Sequence, residues 1–110
     1  KYNMWIIKNN LIPFPGYLAM TIGPFIFTRK NSRPLDEVTI NHEAIHWEQQ
    51  KELLILPFFL LYMVEYLARL VMGGFNHKKA YRSISFEKEA YEHETDMSWI
   101  KNRKHYNYYV

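Results

Sequence analysis

The feature that most constrains this chain is the apolar run from Leu53 to Met72, broken by Pro57, Glu65 and Arg69. About 20 apolar residues suffice for a helix to cross hydrocarbon, and a chain of 110 residues must bury such a run, pair it or give it to lipid. Glu65 and Arg69 stand at i,i+4 spacing and would each be costly at bilayer depth unless paired. The run is therefore expected to be a buried helix rather than a span, with Leu53 to Val64 covered by a partner or lying on lipid. That first half is too densely apolar for one buried stripe, and a domain this small cannot cover every side of it. Self-association, or binding to a membrane surface through residues 53–72, is the expected consequence. Lys78, Lys79 and Arg82 just beyond would suit anionic headgroups; the bland reading of them is a solvated loop.

Composition narrows the classes. Hydrophobic residues make up 48% and aromatics 17%, enough for a core, so disorder is excluded and one domain over residues 1–110 is expected. Without cysteine there is no disulfide framework, thiolate metal site or cysteine nucleophile. Any metal must be held by His, Asp or Glu. The net charge of +3 is too slight to point to nucleic acid, which is not expected as a partner. The chain starts at Lys1 rather than Met and reads as a processed or trimmed product; a cytoplasmic or peripheral-membrane setting is expected.

Along the chain, Met4 to Ile7 reads as a strand ended by Asn9, Asn10, Pro13 and Pro15. Tyr17 to Thr28 carries stronger strand signals, with Gly23 and Pro24 implying an edge or a bulge. Pro34, Asp36 and Glu37 open a helix running to about Leu54. Pro57 either kinks that helix or opens the next, which Gly73, Gly74 and Asn76 end. A last helix is expected from Ser85 to about Lys101, and the aromatic, basic tail from Asn102 has no assignment.

The chemistry lies in His42-Glu43-Ala44-Ile45-His46, an HExxH motif within a segment that reads as helix independently. Residues four apart stack on one helical face, so both imidazoles can reach one ion at about 2.0–2.1 Å, as zinc requires. Glu43 lies beside them, placed to take a proton from an attacking water as general base. The bland reading is two structural histidines and a surface glutamate. A hydrolytic site also needs a third protein ligand. Glu52 stands where a metzincin would have its third histidine, and Gln49 where it would have glycine. A carboxylate from the last helix is the alternative, and spacing does not choose among Glu87, Glu89, Glu92 and Glu94. Likewise, His77, Tyr91, His93 and Tyr106 are all conceivable donors to a developing oxyanion, and Gln49 is expected to support His46 or lie at the surface.

The HExxHxxQ pattern ending at Gln49, followed by Phe86 to Tyr91, resembles the gluzincin metallopeptidases, in particular their small single-domain members, the minigluzincins, and the catalytic cores of CAAX-prenyl-protease-type enzymes. That resemblance implies an ExxxD second motif whose glutamate binds zinc, which assigns Glu87 as the third ligand, 41 positions after His46. Tyr91 replaces the aspartate that would orient a zinc-binding histidine. In related folds the strand before the active-site helix binds an extended peptide at the sheet edge. Tyr17 to Thr28 occupies that place, and can equally be a core strand.

The resulting expectation is an α+β, zincin-like single domain with a small N-terminal sheet, the HExxH helix, a long apolar helix and a C-terminal helix carrying Glu87. It would hydrolyse peptide bonds in a peptide or protein substrate, with zinc on His42, His46 and Glu87 and Glu43 as base. The alternatives are a catalytically silent zincin-like binding or regulatory module, against which Glu43 stands, and a small basic membrane-associated interaction protein, which leaves HExxH unexplained.

Overall fold

The computed structural model describes residues 4–12, 18–31 and 33–109, and the fold is α+β. Strands β1 (Trp5–Asn9), β2 (Ala19–Ile22) and β3 (Phe25–Arg29) form one sheet in the order β1-β3-β2. β1 runs parallel to β3, pairing Ile6 with Ile26, and β2 antiparallel to it, pairing Thr21 with Ile26. The stretch expected as one interrupted strand is thus two. Gly23, at φ 59°, takes the positive-φ position of a two-residue turn and Pro24 follows, so the proline marks a hairpin tip rather than a bulge. Tyr17, Pro13 and Pro15 lie outside the described residues. Among the described residues, strand order leaves β2 at an edge of the sheet.

Helix α1 (Glu37–Leu53) starts where Asp36 caps it, its carboxylate accepting from Thr39 N–H at 2.8 Å, which satisfies one of the amides that a helix start leaves unpaired. It ends at Leu54, whose φ of 69° turns the chain into α2 (Ile55–Met72). Pro57 therefore opens the second helix, in the first turn where its missing N–H costs nothing. Gly73, with Gly74 at φ 73°, closes it.

Three expectations are corrected here. The basic segment after α2 is a helix, α3 (His77–Ser83), capped by Asn76, because the Asn76 side chain and the buried Ala80 give a short polar sequence a start and a docked face. The last helix is split into α4 (Ser85–His93) and α5 (Trp99–Asn102); Asp96 accepts from the Ser98 N–H and hydroxyl at 3.0 and 2.7 Å, a local turn that competes with helix. Third, α2 is not a buried helix: of its 18 residues only Phe58 is buried. Helix α2 is long and apolar enough to cross a membrane by length and composition.

The core forms where α2, α4 and the C-terminal segment meet. Phe58, Ile84, Phe86 and Tyr108 make a buried cluster, with the Phe86 ring 4.7 Å from those of both Phe58 and Tyr108. The unassigned tail thus ends in a short 3-10 turn (Asn107–Tyr109) that seals this core. A buried ionic knot fixes α4 against α1. Arg103 donates to Glu89 at 2.6 Å and to Glu52 at 2.7 Å, with all three side chains nearly inaccessible.

Candidate metal centre

Helix α1 turns polar residues inward. Asn41, His42, Glu43, His46, Gln49 and Gln50 are all buried, and no buried side-chain nitrogen or oxygen among them lacks a hydrogen-bond partner. Asn41 donates to the Glu94 and Asp96 carbonyls at 2.8 and 3.1 Å, tying α1 to the turn after α4. Gln50 donates to Thr21 O at 2.8 Å and accepts from Gly23 N–H at 2.7 Å, tying it to the hairpin. Those bonds hold the middle of α1 between the sheet and α4.

His42 and His46 lie one turn apart, as the motif requires, and α4 brings Glu87 against both. Each Nε2 is 3.1 Å from the same Glu87 oxygen, Oε1. The three groups are buried and their ligating atoms lie within 4.8 Å of one another. A tetrahedral ion with bonds of about 2.0–2.1 Å separates neighbouring donors by about 3.3–3.4 Å, close to the observed spacing.

Where the imidazole hydrogens sit sharpens the test. Gln49 Nε2 donates at 3.0 Å to both Phe86 O and Glu89 Oε1, which fixes the amide so that its oxygen faces His46 Nδ1 at 2.8 Å. His46 Nδ1 must then be the donor. His42 Nδ1 lies 2.8 Å from the Glu94 carboxylate, which can only accept when ionised. With both Nδ1 hydrogens assigned, neutral imidazoles aim two Nε2 lone pairs at a carboxylate lone pair. Such a trio is stable with a cation among its lone pairs, or with protons added to the Nε2 atoms.

The electrostatics agree. Burial alone would depress His46, but the adjacent Glu87 carboxylate, with Glu43 and Gln49, outweighs it and pushes the imidazole up to about 9. Burial would raise Glu87, yet His46 and His42 hold it well below the usual carboxylate range. The metal-free cluster is a buried imidazolium–carboxylate pair, and a metal would displace the proton.

Of the four glutamates left open by spacing, the structure brings only Glu87 to the two Nε2 atoms. Glu94 orients His42, Glu89 accepts from Gln49 and is held by Arg103, and Glu92 is exposed. Glu94 thus makes the bond that the resemblance would assign to an aspartate at position 91. Tyr91 instead packs its ring edge-on against His42, 4.6 Å between centroids. Glu43 lines the cleft next to His46, one carboxylate oxygen accepting from Thr21 Oγ1 at 2.6 Å.

Sequence reasoning missed Thr21, Tyr62 and Tyr81. Tyr62, on α2, donates to the second Glu87 oxygen at 2.6 Å, leaving Oε1 to the histidines. Burial first, and the Glu87 carboxylate second, push the Tyr62 and Tyr81 phenols far above the usual tyrosine range, so both remain O–H donors. The signal for Tyr62 was its phenol within an apolar run at i,i+4 from Phe58; Thr21 and Tyr81 carry no local signal. Among the donors considered earlier, His77 lines the cleft and pairs with Tyr66 at 2.8 Å, His93 is stacked on Trp99, and Tyr106 sits at Glu52 outside the site.

The cleft has a volume of about 450 Å³. Its polar floor is Glu43, His46 and Glu87, one wall is Ala19, Met20 and Thr21 of β2, and the opposite wall is apolar, from Phe58 and Phe59 to Met63 of α2. Comparison of the chain with protein-family models, with curated proteins and with solved structures finds no match.

Proposed function

We propose that this chain is a zinc-dependent peptidase of gluzincin type with a zincin-like arrangement of strand and helices. The observation that carries the reading is the convergence of two Nε2 atoms on one Glu87 oxygen, with both Nδ1 hydrogens bound elsewhere, beside Glu43 in an open cleft. When bound by His42, His46 and Glu87, zinc supplies Lewis acidity that polarises a carbonyl and acidifies a water.

The rest is the work of the chain itself. Glu43 accepts the proton of the attacking water and passes it to the leaving amine, its carboxylate steadied by Thr21. Gln49 and Glu94 hold the imidazoles in one tautomer and orientation. Tyr62 pins Glu87 through the oxygen that does not face the histidines. The edge of β2, which borders the cleft, suits an extended peptide added as a further strand, with an apolar side chain seated against Phe58 and Phe59. Tyr81, a phenol that lines the same cleft, is the donor this reading assigns to a carbonyl oxygen.

The test is Glu43→Gln in zinc-loaded protein on a mixed peptide library. Zinc content should be unchanged while cleavage falls about 10²–10⁴-fold. A variant that cleaves as fast as wild type, or wild-type protein that cleaves nothing while zinc-loaded, overturns the assignment. Glu87→Ala should weaken metal binding itself; if Glu89→Ala strips the metal and Glu87→Ala leaves it, the ligand set is wrong.

A further inference from the structure

Helix α2 is inverted relative to the amphipathic helix of a water-soluble domain. Its tyrosines and its glutamate turn toward the protein, and the partly exposed Arg69 lies on the same side. Tyr62 reaches Glu87, Tyr66 reaches His77, Glu65 accepts from the Ser85 N–H and hydroxyl at 2.6 Å each, and Arg69 pairs with Glu65. The outward side holds Leu56, Leu60, Met63, Val64, Leu67 and Val71, each at least half exposed. At about 100° per residue these, with Leu61 at the margin, cover nearly half the circumference over five turns without a polar atom. Water does not favour such a face, and contiguous apolar patches of this extent mark interfaces.

Both ends of the helix carry the groups that favour a bilayer interface. Beyond its C-terminus, α3 packs against α2 and presents exposed Lys78, Lys79 and Arg82, with no acidic residue in the element. At its N-terminus the hairpin tip comes against α2, where a Cβ at Gly23 would lie 3.5 Å from Ile55 Cδ1. The Trp5 backbone N–H donates to Pro24 O there and its ring stacks on Phe25, 5.6 Å between centroids, the residue being 62% exposed. Exposed tryptophan and clustered cations are the groups that settle at headgroup depth.

We propose that this face docks α2 in the plane of an anionic lipid bilayer, its apolar side in the acyl boundary, α3 on the headgroups and Trp5 at the interface. A second copy of the chain fits less well, because one packed helix covers a stripe about 100° wide and a two-fold contact would bring two cationic α3 elements to one interface. A spanning placement is disfavoured because the inward side of α2 holds α4 through Tyr62 to Glu87 and Glu65 to Ser85, so these polar and ionised groups would be dragged to bilayer depth. The proposal is independent of the metal.

The experiment is flotation of the full chain with vesicles of phosphatidylcholine and phosphatidylserine at three to one, and of phosphatidylcholine alone, at low and high salt. Wild type should float with the anionic vesicles, less so at high salt. L60E/L67E should lose binding about tenfold or more, with circular dichroism and zinc content unchanged. The milder Leu60→Ser should lose binding in the same direction if the double variant does not fold. K78E/K79E should weaken binding to anionic vesicles and flatten its salt dependence. Wild type that ignores both vesicles, or folded L60E/L67E that floats as well as wild type, overturns the proposal. So does a wild-type dimer that ignores lipid and becomes a monomer on L60E/L67E, which would assign the face to a second copy.

Discussion

Helices α1 and α2 are consecutive, of nearly equal length at 17 and 18 residues, and opposite in what they bury. α1 places two histidines, two glutamines, an asparagine and a glutamate inside; α2 leaves most of its leucines and valines outside. Each breaks the rule that apolar groups go in and polar groups stay out, and the two breaches differ in kind. Buried polar groups are tolerated when every one is hydrogen-bonded, and those of α1 are, through Thr21, Glu87, Glu94, Phe86 and Glu89. An exposed apolar face has no internal remedy. Polar inversion on α1 is therefore complete within the fold and builds a site, while apolar inversion on α2 is completed only by something outside it.

The strongest way to break this comparison is to remove an imidazole. His46→Ala should abolish stoichiometric zinc after dialysis, because it deletes one of three converging donors. Elemental analysis checks it, and a variant that holds zinc as well as wild type would show the polar burial to be structural only. Next in size, Phe58→Ala, at the one fully buried position of α2, should cost about 3–5 kcal/mol in urea unfolding.

A smaller effect sharpens the α1 side. Gln49→Ala and Glu94→Ala each remove the acceptor of an Nδ1 hydrogen and should lower zinc affinity about 10–100-fold, by competition with a chelator, without changing stoichiometry. If both variants bind zinc like wild type, the tautomer argument fails.

The pH dependence of metal-free protein follows from the same pair. Folding raises His46 from 6.5 to about 9, so the stability it contributes is complete below pH 6.5 and is lost as pH rises through about 9. Folding lowers Glu87 from 4.5, so its contribution is complete above that pH and is lost as pH falls through the depressed value. Chelator-treated protein should melt highest between about pH 4.5 and 6.5 and lower at pH 9.5. Zinc-loaded protein should not show the alkaline loss, since the ion replaces the proton. Thermal melts that rise from pH 6.5 to 9.5 without metal contradict the pairing.

The smallest expected effect lies on the outward face. Val64→Ser should leave urea stability within about 0.5 kcal/mol of wild type, against the large loss at Phe58 on the inward side of the same helix. A substantial loss at Val64 would mean that the face is packed.

What the sequence by itself determined is what local periodicity determines. The i,i+4 spacing of His42 and His46 sets them on one helical face, Asp36 and Thr39 fix where α1 begins, and Pro57 with Gly73 and Gly74 bounds α2, all through backbone hydrogen bonding within a few residues. The hairpin was half legible, since Gly23-Pro24 was visible but its reading as a bulge rather than a turn depended on which strands pair. Only the tertiary structure decided that Glu87 rather than Glu89 meets the histidines, although the two are separated by a single residue. Both are buried against α1, but Glu87 reaches the two Nε2 atoms while Glu89 is taken up by Gln49 and by Arg103, which also holds Glu52. It also decided that Glu94 orients His42 and that α2 shows its apolar side to solvent, because contacts across some 25 to 50 residues, such as Tyr62 with Glu87 and His42 with Glu94, are set by packing and leave no periodic trace in the chain.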